Sequence, residues 1–199
     1  MTARAKRFGA LFCGGASKRM GRDKALLPWQ GRPLLAHGIE VLQAAGAQVF
    51  LAVGSEARYG EFGLPCALDK SADLGPLGGL EAALDYALQQ PMASEDDLLC
   101  VLACDMPHAG AKVFDALCER LGSADICLLR SSAGREPLFG VYRLAVLDQV
   151  RAALAAGRRK MDSFYGAYQI CYLDTSELPG AAYASNMNTP EDYQDGNRS

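Results

Sequence analysis

Residues 8–24 carry the sequence FGALFCGGASKRMGRDK, in which a short apolar run ends at a glycine pair and a basic segment follows. The run Phe8–Cys13 has the length and composition of a buried strand. The pair Gly14-Gly15 stops it, and glycine lets the backbone turn tightly and approach a ligand closely. Successive free N–H groups in such a turn can form an anion-binding nest. The segment therefore predicts a buried strand that leads into an anion-binding loop.

Positive charge in this loop points to phosphate. Its four basic residues, set among three glycines, are Lys18, Arg19, Arg22 and Lys24. The spacing matches neither a Walker A loop nor the G-x-G-x-x-G dinucleotide fingerprint. A strand-to-helix turn with solvated charges is the structural alternative. The density of cations favours phosphate binding, with Arg19 and Lys24 as its ligands.

Apolar runs and amphipathic stretches alternate along the rest of the chain. Strands are predicted at 48–53, 98–103, 125–129, 138–142 and 169–173. Helices are predicted from Pro33 to Gly46, from Gly75-Pro76 to Leu88, and at 112–121, 144–156 and 191–194. This alternation predicts a three-layer α/β/α, Rossmann-like domain with a mostly parallel sheet. Because no repeat or linker interrupts it, we expect one domain over residues 1–199.

Ligands of such sheets bind beyond the carboxyl ends of the strands. This rule selects three segments: residues 14–24, the loop after Val53 and the Cys104-Asp105 turn. A functional site is therefore expected where these three segments meet.

Composition and charge exclude several classes of protein. The chain has 199 residues, of which 50% are hydrophobic and 22% charged, which is typical of a globular protein able to bury a core. No apolar run is long enough to span a bilayer, and the basic start is not a signal peptide, so no membrane partner is expected. Seven basic side chains stand against one acidic in residues 1–24, whereas the net charge is −3. An acidic chain is a poor nucleic-acid binder, so a small anion is the expected ligand. We interpret Arg4, Lys6 and Arg7 as solubilising charges.

Cysteine usage predicts a reducing compartment. The seven cysteines form an odd number with no CxxC pair, and the two histidines lie far from any paired-cysteine pattern. A zinc finger, a thioredoxin-like motif and a disulfide scaffold are therefore disfavoured. We expect the protein in the cytoplasm.

Asp105 follows the apolar run 98–103 after one intervening residue, Cys104, and precedes Met106-Pro107. A carboxylate at that end of a buried strand suits Mg²⁺, which binds oxygen atoms and bridges to substrate phosphates. A turn-forming or helix-capping aspartate is an equally good interpretation of the residue alone.

Two further segments combine small or amide side chains with turns. Residues 69–80, DKSADLGPLGGL, open a helix whose glycines leave the backbone accessible to a flat base, although Gly-Pro is also a common helix start. Asp69 or Asp73 could cap this helix or reach a ligand. Residues 184–192, ASNMNTPED, place two amides around a turn before a capped helix.

Taken together, these segments resemble the molybdenum cofactor guanylyltransferase family, within the nucleotidyltransferases of nucleotide-diphospho-sugar transferase-like fold. The family motifs GGxSxRMGxDK, GPLxGL, CDxP, PLFGVY and NxNTPE match, in this order, residues 14–24, 75–80, 104–107, 137–142 and 186–191. Two positions depart from the family pattern: Cys13 replaces a usual alanine, and Glu136 stands where a neutral amide is commoner. The resemblance runs over nearly the whole chain.

The resemblance implies that GTP is attacked at its α-phosphorus by the terminal phosphate of molybdopterin, the organic part of the molybdenum cofactor, with release of pyrophosphate. It implies Mg²⁺ as the cofactor, bound by Asp105, and Arg19, Lys24 and Asp105 as the catalytic set. The implied binding residues are Cys13, Gly14, Gly15, Lys24, Asp69, Gly75, Pro76, Leu77, Gly78 and Asp105, with Asn186 and Asn188 on the pterin side. We expect a monomer, with molybdoenzyme-maturation proteins as candidate partners.

Three alternatives remain open at this point. Transfer of CMP to the same cofactor and transfer of a nucleotide to a sugar phosphate use the same kind of fold. A non-catalytic nucleotide-binding accessory protein is the third. The paired glycines at 14–15 and the GPLxGL stretch favour guanine, and intact Arg19, Lys24 and Asp105 favour catalysis.

Overall fold

A seven-stranded sheet with helices on both faces forms the centre of the computed structural model, which describes residues 5–14, 23–71 and 74–178. The strands are β1 (Arg7–Phe12), β2 (Pro28–Trp29), β3 (Arg32–Pro33), β4 (Gln48–Ala52), β5 (Cys66–Ala67), β6 (Leu98–Ala103), β7 (Ile126–Ser131), β8 (Gly134–Arg143) and β9 (Ile170–Asp174). The α-helices are α1 (Leu34–Ala44), α2 (Gly75–Leu88), α3 (Ala111–Leu121) and α4 (Leu147–Ala155). Strands β2 and β3 form a separate two-stranded pair.

The strand order in the large sheet is β5-β4-β1-β6-β8-β7-β9. Strands β5, β4, β1 and β6 are parallel, and we call them the parallel half. Strand β8 runs antiparallel to both of its neighbours, β6 and β7, while β7 and β9 are parallel to each other. We call β8, β7 and β9 the reversed half, after the one reversed strand that it contains. The prediction of a mostly parallel sheet is confirmed.

Because β8 alone is reversed, its first residues lie where the other six strands end. We call this side of the sheet the carboxyl edge. It carries the segments that follow β1, β4, β5 and β6, together with the start of β8 and the ends of β7 and β9.

Alternate side chains of the strands pack into two separate cores. Leu11, Leu102 and Phe139 lie in the core with α1 and α3, whereas Phe8, Val101 and Tyr142 lie in the core with α2 and α4. Every residue of β6 is buried, which explains its uninterrupted apolar sequence. The predicted three layers are therefore confirmed.

Some element boundaries differ from the sequence prediction for local reasons. Pro33 was expected as the first helical residue, but it pairs with Pro28 in the small hairpin and caps α1, which begins at Leu34. Strand β8 begins at Gly134 instead of Leu138, because its first residues pair with β7 across a short turn. The helix predicted at 144–156 starts with a 3₁₀ turn, Leu144–Val146. The helix predicted at 191–194 lies outside the described residues.

Arg7 corrects the interpretation of the basic start. Its side chain is only 11% exposed and donates to the carbonyl oxygen of Ala45 and to Asp115 Oδ1, at 2.8 and 2.6 Å. Lys6 Nζ donates to two backbone carbonyls, of Pro91 and Met92. Through these hydrogen bonds the two cations connect the start of β1 to the segments that follow α1 and α2 and to helix α3. Arg4 lies outside the described residues.

Among the residues that the structure describes, no helix has both the length and the apolar character needed to cross a membrane.

Candidate active site

Gly14 follows β1 at the carboxyl edge, where the backbone of the next strand's loop comes very close. Its N–H donates to Ala52 O at 3.1 Å, and a Cβ atom built on it would lie 2.7 Å from Gly54 N and 2.8 Å from Val53 C. Only glycine fits such a contact with backbone atoms. Gly14 itself is exposed, so its backbone faces the space beyond the sheet.

Cys13, the residue before it, points the other way. Its side chain is buried in the core with α1 and α3, and burial raises the pKa of its thiol well above the ordinary range. Only the backbone of Cys13 can therefore belong to a ligand site at this edge.

Lys24 and Asp105 meet at the centre of the carboxyl edge. Lys24 Nζ donates to Asp105 Oδ2 at 2.8 Å, and the two side chains are 16% and 24% exposed. Asp105 lies two residues after β6, and Lys24 begins a short 3₁₀ helix, Lys24–Leu26. The sequence predicted both residues for one site, and the structure brings them together.

Asp23, Tyr59 and Arg58 form a cluster next to this pair that the sequence analysis missed. The Tyr59 hydroxyl donates to Asp23 Oδ1 and Oδ2, at 3.0 and 2.9 Å, and Arg58 Nη2 donates to Asp23 Oδ2 at 2.5 Å. The sequence predicts the loop after Val53 at this edge only from its position beyond a strand. Nothing in the local sequence marks Arg58 or Tyr59 as partners of a residue about 36 positions earlier.

Asp69 follows β5, and its carboxylate is held next to the first turns of α2. The N–H of Asp69 donates to Gly54 O at 2.8 Å, and Oδ1 lies 3.7 Å from the position of a Cβ built on Gly79. Oδ1 is buried and has no hydrogen-bond partner among the described residues. Burial, and then the charge of Glu81, raise the pKa of this carboxyl.

The start of α2 presents backbone more than side chains. Gly75 has φ of 66°, the left-handed region that favours glycine, and Gly75 and Pro76 are exposed. The side chain of Leu77 is fully buried in the core with α4, and a Cβ on Gly78 would lie 2.4 Å from Leu74 Cβ. Four residues of this segment, 75–78, were predicted to bind the ligand, and Leu77 among them can offer only its backbone.

Glu136 brings a second carboxylate close to Asp105. In the antiparallel β6–β8 pair Leu102 is opposite Phe139, so the turn that follows β6 and carries Asp105 lies on the side of the sheet where β8 begins. Burial, and then the charge of Asp105, raise the pKa of Glu136. The reversed half thus begins with an acidic side chain beside the centre of the site.

The rest of the reversed half's edge carries ion pairs between its own side chains. Arg130 donates to both oxygens of Asp174, at 2.7 and 2.8 Å, and its guanidinium lies 4.8 Å from the centre of the Tyr172 ring. Arg135 pairs with Asp162 at 2.7 Å. The side chains of all four charged partners are between 37% and 46% exposed.

Four predicted site residues lie outside the described residues: Gly15, Arg19, Asn186 and Asn188. Their assignments stay predictions. Within the described ranges the structure brings Gly14, Lys24, Asp69, the start of α2 and Asp105 to one edge.

The donor set at this edge fits a hard divalent cation. No group of three or more His, Cys, Asp or Glu side chains able to hold a metal is present among the described residues. Mg²⁺ is commonly held by only one or two carboxylates, with substrate phosphates and water completing its shell. The partly exposed Asp105 carboxylate matches that mode of binding.

Ligands of α/β sheets bind at this carboxyl edge, and the comparisons with known proteins assign the chain to the nucleotidyltransferases. The chain belongs to the family described as the MobA-like NTP transferase domain, whose model matches residues 9–170. The resemblance found in the sequence is thereby confirmed.

Individual relatives agree with this assignment. A molybdenum cofactor guanylyltransferase of Rhodobacter capsulatus is 32% identical over 186 residues, covering 92% of this chain and 91% of the relative. The fold matches the molybdopterin-guanine dinucleotide biosynthesis protein A of Archaeoglobus fulgidus with a TM-score of 0.75 at 20% identity, over 96% and 97% of the two chains. It also matches Rv0371C of Mycobacterium tuberculosis H37Rv, crystallised in complex with manganese, with a TM-score of 0.66 at 16% identity, over 98% and 100%.

Proposed function

We propose that this protein transfers GMP from GTP to the molybdopterin-bound molybdenum cofactor, forming the guanine dinucleotide cofactor and pyrophosphate. The observation that carries the proposal is the Lys24–Asp105 pair at the carboxyl edge, beside the Gly14 backbone. The family and the name of the Rhodobacter capsulatus relative support the same reaction. Nothing in this chemistry requires a covalent nucleophile from the protein, because the attacking phosphate belongs to the acceptor.

Each described residue has a defined part in such a transfer. The Gly14 backbone and Lys24 hold the triphosphate, and Asp105 binds Mg²⁺, which neutralises charge on the phosphates when bound. Lys24 Nζ lies 2.8 Å from Asp105, so it can also reach phosphate oxygens that share a cation with this carboxylate. We assign Gly15 and Arg19 to the same triphosphate on the sequence motif alone, and Asn186 and Asn188 to the pterin side.

Asp69 favours guanine over cytosine. A buried carboxylate oxygen without a partner is costly, and a ligand donor would relieve that cost. Guanine offers its ring N–H and its 2-amino group along one edge, whereas cytosine presents acceptors on the corresponding atoms. The exposed backbone at Gly75-Pro76 leaves room for the flat base beside this carboxylate.

The test is the nucleotide dependence of pyrophosphate release in the presence of molybdopterin and Mg²⁺. We expect turnover with GTP and far slower release from CTP, ATP and UTP. Preference for CTP would contradict the proposal, and activity with a sugar phosphate in place of molybdopterin would redirect it to another acceptor.

Asp105→Asn is the decisive variant. It should lower kcat by about 10³-fold, since it removes the charge that binds the metal while keeping the shape of the side chain. Asp115→Asn is the matched control, because Asp115 pairs with Arg7 at the opposite edge of the sheet. Near-normal turnover of Asp105→Asn, with the control also normal, would remove Asp105 from the metal site.

Four other predictions stay predictions: a single domain over residues 1–199, the cytoplasmic location, the monomeric state and the contacts with molybdoenzyme-maturation proteins.

A further inference from the structure

Tyr59 combines a buried ring with a backbone conformation that is rare for its residue type. Its φ and ψ are 64° and 35°, in the left-handed region, and its side chain lies in the core with α1 and α3. The other two described non-glycine residues with positive φ, Gln30 and Met92, are exposed. An unfavourable conformation in a buried residue persists only where the surrounding contacts hold it, and such residues concentrate at functional sites.

The contacts of Tyr59 lead from the core to the candidate triphosphate site. Its hydroxyl donates to both Asp23 oxygens, at 3.0 and 2.9 Å, and lies 3.4 Å from Cys13 O. Asp23 is the N-cap of the short helix Lys24–Leu26, because its Oδ1 accepts from the N–H of Ala25 at 3.1 Å. Holding Asp23 therefore fixes the start of the segment from which the Lys24 side chain extends to Asp105.

We propose that Tyr59 is a positioning residue for Lys24: through Asp23 it holds the lysine at the carboxyl edge for the nucleotide's phosphates. This inference rests on the proposed function, in which Lys24 binds the triphosphate. Burial and the adjacent Asp23 raise the pKa of the Tyr59 phenol above the ordinary range, so the hydroxyl remains a donor at alkaline pH as well as near neutrality.

Arg58 supports the same carboxylate in a different way. Its guanidinium pairs with Asp23 and lies 5.0 Å from the centre of the Tyr59 ring, but its side chain is 42% exposed. Ion pairs at that exposure contribute little to holding a geometry. The buried hydroxyl is therefore the stronger constraint on Asp23.

Tyr59→Phe tests the proposal because it keeps the ring and its packing and removes only the hydroxyl. GTP affinity is measured by calorimetry with Mg²⁺ in four proteins: the wild type, Tyr59→Phe, Lys24→Met and the double variant. We expect Tyr59→Phe to bind GTP about tenfold more weakly than the wild type, the effect of losing hydrogen bonds to a charged group. In the Lys24→Met background the same change should weaken GTP binding less than about twofold, because neighbouring residues that act through one group are not additive.

Steady-state kinetics and a matched control variant separate a positioning role of Tyr59 from simple packing. Tyr59→Phe should raise KM for GTP by about the same factor and also lower kcat, because Lys24 contacts the reacting phosphates in the proposed function. Tyr168→Phe is the matched control, because it removes a tyrosine hydroxyl that donates to Ala145 O at 3.3 Å, away from the candidate site. The control should leave GTP affinity unchanged.

Equal losses of GTP affinity in the wild-type and Lys24→Met backgrounds would overturn the proposal, and so would unchanged affinity in Tyr59→Phe. A wild type that binds no GTP would instead overturn the proposed function itself. The two failures are therefore distinguishable in one set of titrations.

Discussion

The parallel half and the reversed half of the sheet meet the carboxyl edge in different ways. In the parallel half, backbone lines the edge at Gly14, and Asp69 holds a buried oxygen that no described residue satisfies. In the reversed half, exposed charges pair with one another, as Arg130 does with Asp174. Among the described residues, the first arrangement leaves an acceptor oxygen unpaired, whereas the second pairs its charges with its own side chains. If the proposed function holds, recognition of the nucleotide falls to the backbone and buried groups of the parallel half, and the other side of the edge carries exchangeable surface charges.

Among the variants that test this difference between the two halves, Asp69→Asn should have the largest effect on GTP affinity. Asp69→Asn should weaken GTP binding by about 30-fold. The proposed site accepts hydrogen bonds from guanine, and the asparagine amide replaces one of the two acceptor oxygens of Asp69 with a donor. Inosine triphosphate, which lacks the 2-amino group, should bind the wild type more weakly than GTP and bind the variant about equally. Calorimetry with both nucleotides measures this difference.

Asp69 also predicts a pH dependence. Since burial raises its pKa, its carboxylate becomes protonated on acidification at a higher pH than an ordinary aspartate, and an acceptor is lost. Wild-type affinity for GTP should therefore fall towards acid pH earlier than that of Asp69→Asn, which has no such titration. Parallel profiles for the two proteins would show that Asp69 does not face the base. The melting temperature of the variant should not decrease, because the charge has been removed from a carboxylate whose buried Oδ1 has no hydrogen-bond partner among the described residues.

An intermediate effect is expected at Gly14. Gly14→Ala places a methyl group 2.7–2.8 Å from backbone atoms of Val53 and Gly54, so β1 and the loop after β4 must separate. We expect the free energy of unfolding to decrease by about 1–3 kcal/mol, as for other overpacked sites. Gly60→Ala is the control, because a Cβ on Gly60 would meet no atom within 4 Å. Equal stability of both variants in denaturant titrations would mean that the close approach at Gly14 is not a constraint.

The smallest effect is expected in the reversed half. Arg130→Gln removes a bidentate ion pair with Asp174 and a cation–π contact with Tyr172, and exposed pairs of this kind contribute at most about 1 kcal/mol to stability. The free energy of unfolding should decrease by about 1 kcal/mol or less, and the affinity for GTP should not differ from that of the wild type. A clear loss of GTP affinity in this variant would contradict the division of the edge into two halves.

Much of the fold could be predicted because strands buried on both faces have uniformly apolar sequences. The run 98–103 is apolar throughout, and the structure places β6 on those residues with every side chain buried. The order of strands and helices followed in the same way from alternating patterns. Strand β5, with only two residues, is too short to leave a pattern.

The direction of β8 was missed for a different reason. Its apolar residues Phe139–Tyr142 read the same whichever way the strand runs, but the eight residues between the predicted strands 125–129 and 138–142 are too few for the crossover that a parallel pair needs, so this spacing already indicates an antiparallel pair. The expectation of a mostly parallel sheet was correct without identifying which strand is reversed.

The site was predictable where charge and glycine coincide with a strand end, as at Lys24 and Asp105. It was not predictable where side chains distant in the sequence meet. Tyr59 and Asp23 belong to loops after different strands, and no spacing rule connects them. Likewise, the side chains of Cys13 and Leu77 are buried. A sequence motif identifies such positions, but it does not indicate whether the side chain or the backbone of the residue faces the ligand.

The reversed strand has a consequence for where the carboxyl edge can be re-engineered. Ser131 and Gly134 pair across a two-residue turn, so the tip of the β7–β8 hairpin reaches the carboxyl edge directly. Hairpin tips tolerate insertions and exchanged residues better than buried strands do. A library of lengths and compositions at residues 132–133 would therefore vary the surroundings of Glu136 while leaving Gly14, Lys24 and Asp69 untouched.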